Sequence, residues 1–362
     1  MLPVKVNARF LLQVPTGVQR YAFEILRRWP SVELIAPGIP LNFYREAIGR
    51  HVLKRTWGFS FSVLGHIWEQ AVLPWFCQGG VLWSPGGSGP LAHPRQVVTV
   101  HDIAHIEHPE WYGKAFTQYY AWLLPRLLRR VARVITVSDF SRLRILDIFG
   151  IDEDKVVVTP LGVDRRFSPR GKEEVRQVRE IYRLEKPYVL SVSAVSERKN
   201  LVRLLLAWKS LSFSDIELVM VGPQGLAFSG GHKMPEEIWS IPGVRYLGYV
   251  PDDHLPALYS GALAFAYVSL YEGFGLPVLE AMACGAAVVT SNITALPGLV
   301  GDAALLVNPY DVEAIADGIW RAVQDSNLRE QLRSKGLERS KMYDWGKTAE
   351  NTMKLLREVG SE

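Results

Sequence analysis

Residues 269–285 read S-L-Y-E-G-F-G-L-P-V-L-E-A-M-A-C-G, and this segment carries the clearest structural pattern of the chain. An apolar run at 263–268 precedes it and another at 286–290 follows it, as expected of buried strands. Within it, Pro277 is typical of the first turn of a helix and Gly285 of a helix end. The stretch therefore predicts a strand, a glycine-bearing loop, a helix and a second strand.

The start of this predicted helix is a candidate anion site. Its backbone N–H groups and the positive end of the helix dipole face whatever binds above the sheet, which favours phosphate. Glu272 lies in the loop and Glu280 lies in the first half of the helix, so two carboxylates frame the site. Acidic residues near a helix N-terminus also stabilise the helix without any ligand, which is the alternative interpretation.

The spacing of these two acids, E-x(7)-E, resembles the signature of retaining glycosyltransferases of family four, which have the GT-B fold. The patterns T-G-V-Q-R-Y-A (16–22), W-E-Q-A-V-L-P (68–74), V-H-D (100–102) and E-R-K-N (197–200) are most similar to bacterial polysaccharide mannosyltransferases. The resemblance covers nearly all of the chain and is weakest at 37–95. It implies an α/β protein with two Rossmann-like domains whose parallel sheets face a central cleft.

Composition bounds the class of protein and its partners. The chain has 362 residues, which favours two domains. Its net charge of +4 fits an anionic ligand or membrane surface but is too small to predict nucleic-acid binding. Cys77 and Cys284 lie far apart, so we expect a reducing compartment rather than a disulfide framework. We expect neither a signal segment nor a membrane span, because no apolar run reaches about 18 residues.

Strands that alternate with helices predict parallel, doubly wound sheets. With the resemblance, this predicts an acceptor-binding domain at 1–164, a charged junction at 165–186 and a nucleotide-sugar-binding domain at 187–344. A C-terminal helix at about 345–362 is expected to pack back on the first domain.

Three local predictions concern the first domain. Residues 4–12 are predicted to form one strand and residues 62–76 one helix. Residues 37–60 are predicted to be irregular and are assigned to no element.

The candidate ligand residues of the first domain lie at predicted strand ends, where open parallel sheets bind ligands. Gly17 begins a helix that could meet a phosphate or an acceptor hydroxyl, or it is an ordinary helix entry. His101 ends a strand, and the resemblance implies that it lies near the transferred sugar. A metal site of His101, His105 and His108 beside Asp102 is the less favoured alternative, since Pro109 disfavours a continuous helix and the resembled family uses no catalytic metal.

The candidate ligand residues of the second domain follow two of its strands. Arg198 and Lys199 can neutralise a diphosphate, unless they belong to a solvated turn. Lys199 matches the position expected from the family, and Arg198 matches it less closely, because the family usually has its arginine earlier. The loop with Tyr249 and Val250 resembles the family's loop that holds the nucleotide base through backbone groups.

The resemblance implies the transfer of a sugar from a nucleoside diphosphate donor, and the first candidate is mannose from GDP-mannose. It also implies that Glu280 binds the ribose hydroxyls and that Glu272 binds the hydroxyls of the transferred sugar. No residue stands out as a covalent nucleophile, and no cofactor or metal is expected. The predicted catalytic residues are His101, Arg198, Lys199 and Glu272. The predicted donor-binding residues are Gly17, Arg198, Lys199, Tyr249, Val250, Glu272, Gly273, Phe274, Gly275, Leu276 and Glu280.

Two other classes of function stay open at this point. A retaining glycosidase also needs two carboxylates, about 5–5.5 Å apart, but it does not need a phosphate site. A non-catalytic sugar-nucleotide-binding protein would bind the donor without turning it over. UDP-sugars and dTDP-rhamnose also stay open as alternative donors.

An interfacial membrane surface is predicted in the first domain, with a glycan or lipid-linked acceptor. Residues 54–76 are rich in Trp and Phe and begin with two cations. Four arginines follow further on, interleaved with apolar residues: Arg126, Arg129, Arg130 and Arg133. These features fit a cytoplasmic protein that lies on the inner face of a membrane. The alternative is that the aromatic residues are core and the arginines form a solvated helix face.

Overall fold

The computed structural model describes residues 2–13, 16–38, 49–56, 62–223 and 241–361. The chain divides into two compact units, which are described separately. Unit 1 comprises Met1–Ile106, Thr117–Gly162 and Asp344–Glu362, and unit 2 comprises Glu107–Phe116 and Val163–Tyr343. The stretch predicted as a junction, 165–186, is therefore counted with unit 2.

Unit 1 is built on parallel strands, as the alternating pattern predicts. They are β1 (Val4–Asn7), β2 (Glu33–Ala36), β3 (Val52–Arg55), β4 (Val81–Ser84), β5 (Gln96–Thr99), β6 (Arg133–Thr136) and β7 (Val156–Val158). They form one sheet in the order β3-β2-β1-β4-β5-β6-β7. The helices that lie wholly or mostly in unit 1 up to residue 162 are α1 (Gly17–Leu26), α2 (Ser62–Ala71), α3 (Leu73–Cys77), α4 (Ala104–Glu107), α5 (Lys114–Arg130) and α6 (Asp139–Phe149).

Unit 2 repeats this architecture. Its described strands are β8 (Tyr188–Val192), β9 (Glu217–Val221), β10 (Val244–Gly248), β11 (Ala264–Tyr267), β12 (Val288–Ser291) and β13 (Ala304–Val307), in the parallel order β10-β9-β8-β11-β12-β13. The helices are α7 (Lys172–Ile181), α8 (Leu201–Leu211), α9 (Leu255–Gly261), α10 (Leu276–Ala283), α11 (Leu296–Val300), α12 (Val312–Gln324) and α13 (Ser326–Ser340).

The last helix, α14 (Trp345–Val359), is part of unit 1. The indole Nε1 of Trp29 donates to the carbonyl of Ala349 at 2.9 Å, and Thr348 Oγ1 donates to the carbonyl of Pro160 at 2.7 Å. A side chain at Gly162 would collide with the backbone of Trp345, because a Cβ there would lie 2.2 Å from its nitrogen. A glycine therefore permits the close approach that docks α14.

The predictions for the start of unit 1 need two corrections. The strand predicted at 4–12 ends at Asn7, and a 3-10 helix (Ala8–Leu12) follows it. The Asn7 side chain accepts a hydrogen bond from the Arg9 backbone N–H at 3.3 Å, a typical N-cap contact that competes with strand extension. Residues 37–60, predicted to be irregular, contain β3, which pairs with β2.

The single helix predicted at 62–76 is also wrong. Helix α2 ends at Ala71, and the separate helix α3 begins at Leu73. Pro74 lies in the first turn of α3, where its missing N–H costs nothing, whereas inside a continuous helix it would remove a hydrogen bond.

The order of strands reverses once in each sheet. In unit 1 the reversal lies between β1 and β4, and in unit 2 it lies between β8 and β11. In open parallel sheets, ligands bind outside the carboxyl ends of the strands at such a switch point. The loops that follow these strands are therefore where a site is expected.

Candidate functional site

In unit 2, the two loops at the switch point are joined to each other. The loop after β8 contains a 3-10 helix (Glu197–Lys199), and the loop after β11 leads into α10. The backbone N–H of Leu270 donates to the carbonyl of Arg198 at 2.8 Å, and Asn200 Nδ2 donates to the carbonyl of Val268 at 3.0 Å. The fold thus brings together the E-R-K-N and E-G-F-G motifs, which are far apart in the sequence.

Lys199 and Glu272 form an ion pair at this junction. Lys199 Nζ lies 2.5 Å from Glu272 Oε1, and the two side chains are only 12% and 8% exposed. The Tyr267 hydroxyl joins both groups, since it accepts from Lys199 Nζ at 2.6 Å and donates to Glu272 Oε1 at 3.0 Å. The result is a compact cluster of one cation, one anion and one hydroxyl.

The electrostatics of the cluster keep Glu272 ionised. Burial acts to raise the pKa of Glu272, but the charges of Lys199 and Arg198 outweigh it, so the pKa lies below its ordinary value. Burial and the Glu272 charge raise the pKa of Tyr267 well above its ordinary value. Tyr267 therefore keeps its proton and acts as a neutral donor to the carboxylate.

The glycine loop after Glu272 has a conformation that requires glycine. Gly275 has φ +106°, and a Cβ there would lie 2.7 Å from Leu296 Cδ2. The backbone N–H of Glu272 donates to Thr294 Oγ1 at 3.3 Å, and the Phe274 ring packs edge-on against Tyr343 at 5.7 Å. These contacts fix the loop that leads from Glu272 into α10.

The second acid of the motif is buried within α10. Glu280 is 5% exposed, and its Oε2 accepts a hydrogen bond from the Tyr259 hydroxyl at 3.3 Å. The helix ends three residues further on, at Ala283, before Gly285 adopts φ +75°. The sequence therefore predicted the helix, its start and its end, while the Tyr259 contact appears only in the structure.

The loop after β10 presents one exposed ring and one buried side chain. Tyr249 is 73% exposed, whereas the Val250 side chain is 3% exposed. Gly248 before them has φ +69°, which turns the chain away from the strand. Val250 can therefore offer a ligand only its backbone, while Tyr249 can also offer its ring.

Two of the predicted site residues, Gly17 and His101, belong to unit 1. Gly17 begins α1, and the Gln19 side chain caps this start by accepting from the Thr16 backbone N–H at 3.0 Å. His101 Nε2 donates to the carbonyl of Pro85 at 3.1 Å, and the ring packs edge-on against Tyr21 at 4.7 Å. Burial lowers the pKa of His101, which favours the neutral ring, and the contact with the Pro85 carbonyl places the proton of that ring on Nε2.

The histidines of the alternative metal site do not share one helix. Helix α4 ends at Glu107, before His108, whose ring stacks on Trp111 at 4.0 Å. Over the described ranges, no group of three or more His, Cys, Asp or Glu side chains is arranged to hold a metal ion.

Comparison with known proteins identifies the family. The model for glycosyl transferases group 1 matches residues 172–339, and the model for glycosyltransferase family 4 matches residues 15–167. The O-antigen chain mannosyltransferase B of Escherichia coli is 38% identical over 267 residues, which is 73% of this chain and 70% of the relative. The chain belongs to the family four glycosyltransferases. It is thus a hexosyltransferase, and the glycosidase and non-catalytic alternatives are not retained.

Further comparisons give a longer sequence relative and two solved structures. The serotype-specific mannosyltransferase WbdA of Escherichia coli is 29% identical over 70% of this chain, which spans only 32% of WbdA. The structure of Anabaena HepE in complex with UDP and glucose superposes with a TM-score of 0.79 at 17% identity, over 99% of this chain and 100% of HepE. WaaG gives 0.73 at 15% identity, over 98% and 99%. These neighbours confirm the predicted GT-B fold.

The glycosyltransferase has a second buried ion pair, which lies in unit 1 and contains the glutamate of the W-E-Q motif. Arg9 Nε lies 3.5 Å from Glu69 Oε1, with side chains 11% and 1% exposed. Glu69 Oε1 also accepts from Asn7 Nδ2 at 2.6 Å and from Ser88 Oγ at 3.0 Å. His66 Nδ1 lies 3.5 Å from the other carboxylate oxygen. Burial acts to raise the pKa of Glu69, but the Arg9 charge and the contacts with His66 and Asn7 together outweigh it, and the pKa falls to about 2.

The other residues of this motif contact further loops of unit 1. Trp68 Nε1 donates to Thr56 Oγ1 at 2.6 Å, just beyond β3. The Gln70 side chain donates to the carbonyl of Gly89 at 2.9 Å and accepts from the Leu91 N–H at 3.0 Å, beyond β4. The motif therefore attaches α2 to loops at the carboxyl ends of several strands.

The structure adds Tyr267, Tyr259, Arg9 and Glu69 to the residues of interest. From the sequence, Tyr267 is expected only as part of a buried strand, and Glu69 only as part of a family pattern. A tyrosine as the last residue of an otherwise aliphatic or Phe-containing strand is the signal that could have identified Tyr267, because a buried hydroxyl needs a polar partner.

Proposed function

We propose that this hexosyltransferase transfers mannose from GDP-mannose to a glycan or lipid-linked acceptor in polysaccharide synthesis, with retention of the anomeric configuration. The observation that carries the proposal is the cluster of Lys199, Glu272 and the glycine loop at the switch point of unit 2. The 38% identity to an O-antigen chain mannosyltransferase supports mannose as the sugar.

Arg198 and Lys199 would hold the donor diphosphate, together with the N–H groups of Gly273, Phe274, Gly275 and Leu276. Arginine offers a planar fork of donors and lysine a compact charge, and both suit phosphate oxygens. The largely buried position of Lys199 strengthens such a contact, because water screens it less. The diphosphate leaves with extra negative charge, so these groups would also stabilise the transition state.

The two glutamates would recognise the sugars of the donor. Glu280 would accept hydrogen bonds from the ribose hydroxyls, and Glu272 would accept them from the transferred sugar. The ionised state of Glu272 suits this role, since a carboxylate is an acceptor only. The backbone of Tyr249 and Val250 would hold the base, which fits the buried Val250 side chain.

Gly17 and His101 would act from unit 1. The N–H groups at the start of α1 would meet the donor phosphate or an acceptor hydroxyl, and His101 would lie near the transferred sugar. No side chain is assigned as a covalent nucleophile, so the donor phosphate would help to deprotonate the acceptor on the same face. We propose that no metal is needed, because cations and backbone N–H groups would neutralise the diphosphate.

A thermal-shift panel of GDP-mannose, UDP-glucose, dTDP-rhamnose and ADP-glucose tests the donor. We expect GDP-mannose to give the largest shift, since ligand at about 100 times its dissociation constant stabilises the fold by about 2.7 kcal/mol. Free mannose, which lacks the diphosphate, is the control and should give none. A larger shift with another nucleotide sugar would contradict the proposed base.

We also propose that unit 1 contacts an anionic membrane surface from the cytoplasmic side, where the lipid-linked acceptor would lie. Helices α2 and α3 expose Leu64, Ile67 and Trp75, and α5 exposes Trp122 together with Arg126, Arg129 and Arg130. Part of the predicted face is core instead, since Trp68 and Leu73 are buried, and residues 57–61 lie outside the described ranges. None of the described helices is long and apolar enough to cross a bilayer.

Flotation with anionic and neutral vesicles tests this surface. Each cation near an anionic surface contributes about 1 kcal/mol, so Arg129→Glu with Arg130→Glu should abolish most of the anionic-selective binding. The matched control is Lys172→Glu with Lys209→Glu, which reverses two exposed charges of unit 2. Equal binding to both vesicle types, or equal losses in both double variants, would exclude this surface.

A further inference from the structure

The hydroxyl of Tyr267 links the two charged groups that the proposed function assigns to different parts of the donor. Lys199 is assigned to the diphosphate and Glu272 to the transferred sugar. Tyr267 accepts from the first at 2.6 Å and donates to the second at 3.0 Å. We propose that Tyr267 is a positioning residue that holds Lys199 and Glu272 in the geometry that binds the nucleoside diphosphate sugar.

This inference rests on the proposed function and extends it to a residue without a direct donor contact. A tyrosine hydroxyl has one hydrogen to donate and lone pairs to accept. Because the Tyr267 hydroxyl donates its hydrogen to Glu272, its oxygen can only accept a further hydrogen bond, and the Lys199 ammonium group donates one. Phenylalanine, which has the same shape, would leave both contacts unmade.

The backbone of Tyr267 is held rigidly enough to act as a reference point. It is the last residue of β11, and it pairs with Thr290 of β12. Thr290 Oγ1 donates to the Tyr267 carbonyl at 2.7 Å, and the Tyr267 ring lies nearly parallel to that of Phe265 at 5.9 Å. Lys199 and Glu272, by contrast, lie in loops, so the strand residue can fix the positions of both.

The hydroxyl also helps to keep Glu272 ionised. The charged and titratable groups around this carboxylate are Lys199, Arg198 and Tyr267. A hydrogen bond to the charged form lowers the pKa of a carboxyl, so loss of the hydroxyl should raise the pKa of Glu272. Affinity for the sugar part of the donor should then be lost at a higher pH during acidification.

The test compares Tyr267→Phe with Tyr188→Phe in the full-length protein. Tyr188 is the matched control, because it is buried in the neighbouring strand β8 and its hydroxyl donates to the Leu258 carbonyl at 2.8 Å. Calorimetry measures the affinities for GDP-mannose and for GDP between about pH 3 and about pH 8, a range that extends below the ordinary carboxyl pKa because the pKa of Glu272 is lowered. GDP reports the contacts of the base, the ribose and the diphosphate, and GDP-mannose adds those of the transferred sugar.

We expect Tyr267→Phe to weaken GDP-mannose binding by about tenfold to a hundredfold, the usual size for a hydrogen bond to a charged group. The pH at which the preference for GDP-mannose over GDP is half lost should rise in this variant and stay unchanged in Tyr188→Phe. In a Glu272→Gln background, Tyr267→Phe should cost much less, since the partner charge is already gone.

Three results would overturn the inference. If Tyr267→Phe binds both ligands as Tyr188→Phe does, while Lys199→Ala and Glu272→Gln lose affinity, the donor site stands and only the role of Tyr267 is wrong. If the losses from Tyr267→Phe and Glu272→Gln are additive, the two side chains act independently. If Lys199→Ala and Glu272→Gln bind GDP-mannose normally, the proposed donor site falls and the inference falls with it.

Discussion

Each unit of this glycosyltransferase has a buried ion pair at the switch point of its sheet, and the two pairs differ in their surroundings. In unit 1, Glu69 contacts Arg9 and also accepts from Asn7 and Ser88. In unit 2, Glu272 contacts Lys199 and Tyr267 and adjoins a glycine loop. The first carboxylate is 1% exposed and the second 8%.

This difference separates a structural role from a binding role. The partners of Glu69 come from β1, the segments after β1 and β4, and α2, so the pair holds several parts of unit 1 together. Glu272 instead lies beside backbone N–H groups and a lysine that can serve a ligand. Breaking the first pair should therefore cost stability, and breaking the second should cost donor affinity.

The largest effect is expected for Arg9→Met. This change leaves Glu69 as a buried charge without its cation, which typically costs about 3–5 kcal/mol. Urea unfolding should show the loss in the free energy of unfolding. Arg144→Met is the control, because it breaks the exposed pair with Asp147, worth about 0–1 kcal/mol. Equal stability of the two variants would show that the Arg9–Glu69 pair holds nothing together.

Acidification should break the same pair without a mutation. The folded-state pKa of Glu69, about 2, lies below its ordinary value of 4.5. Its contribution is therefore complete above about pH 4.5 and is lost as the pH falls towards about 2, with a total on the order of 3 kcal/mol. Burial and the Arg9 charge also lower the pKa of His66 below its ordinary value of 6.5. This histidine therefore also reduces the free energy of unfolding as the pH falls below about 6.5.

Urea unfolding of wild type and Glu69→Gln between about pH 6 and about pH 3 measures this term. The variant should be less stable at the upper end and should lose less on acidification. A parallel loss in both proteins would mean that Glu69 does not carry the acid sensitivity.

Lys199→Ala and Glu280→Ala should each lower the affinity for the nucleoside diphosphate by about tenfold to a hundredfold. Each change removes a charged hydrogen-bonding group from the donor site. Neither should unfold the protein. Calorimetry with GDP measures the affinity, and thermal unfolding checks the fold. Lys172→Ala, at an exposed position of unit 2, is the control. Unchanged affinity in both site variants would reject the assignment.

The smallest expected effect is that of metal removal. Since Lys199, Arg198 and the loop N–H groups would neutralise the diphosphate, EDTA should leave the affinity for GDP-mannose unchanged. Calorimetry with EDTA, and then with added magnesium or manganese, measures this. Binding that is abolished by EDTA and restored by either ion would contradict it.

Local pattern was enough to predict the glycine loop, the start and end of α10 and most of the parallel strands. The glycine, proline and acid positions of 269–285 interact within a few residues, so their spacing carries the information. The roles given to His101, Arg198, Lys199, Glu272 and the other candidate site residues stay predictions.

The partners of buried polar side chains could not be predicted in this way. Tyr267 meets Lys199 only because β11 lies next to β8, which depends on the strand order of the whole sheet. Glu69 was part of a noted motif, but its partner Arg9 lies far away in the sequence. Trp68 and Trp75 belong to the same aromatic-rich stretch of sequence, yet Trp68 is buried and Trp75 is 73% exposed. They lie on different helices, α2 and α3, so the sequence pattern alone does not tell them apart.

The place of α14 in unit 1 has a consequence for the order of events on the ribosome. All of Val163–Tyr343 is synthesised before α14. The synthesis of this segment takes roughly 10–40 s at about 5–20 residues per second. At the end of this time the sequence of unit 2 is complete, while Trp29 and the carbonyl of Pro160 still lack the partners that α14 supplies. The N-terminal unit should thus be the later of the two to reach its native state, and a nascent chain stalled after Tyr343 should leave it open to chaperones and proteases.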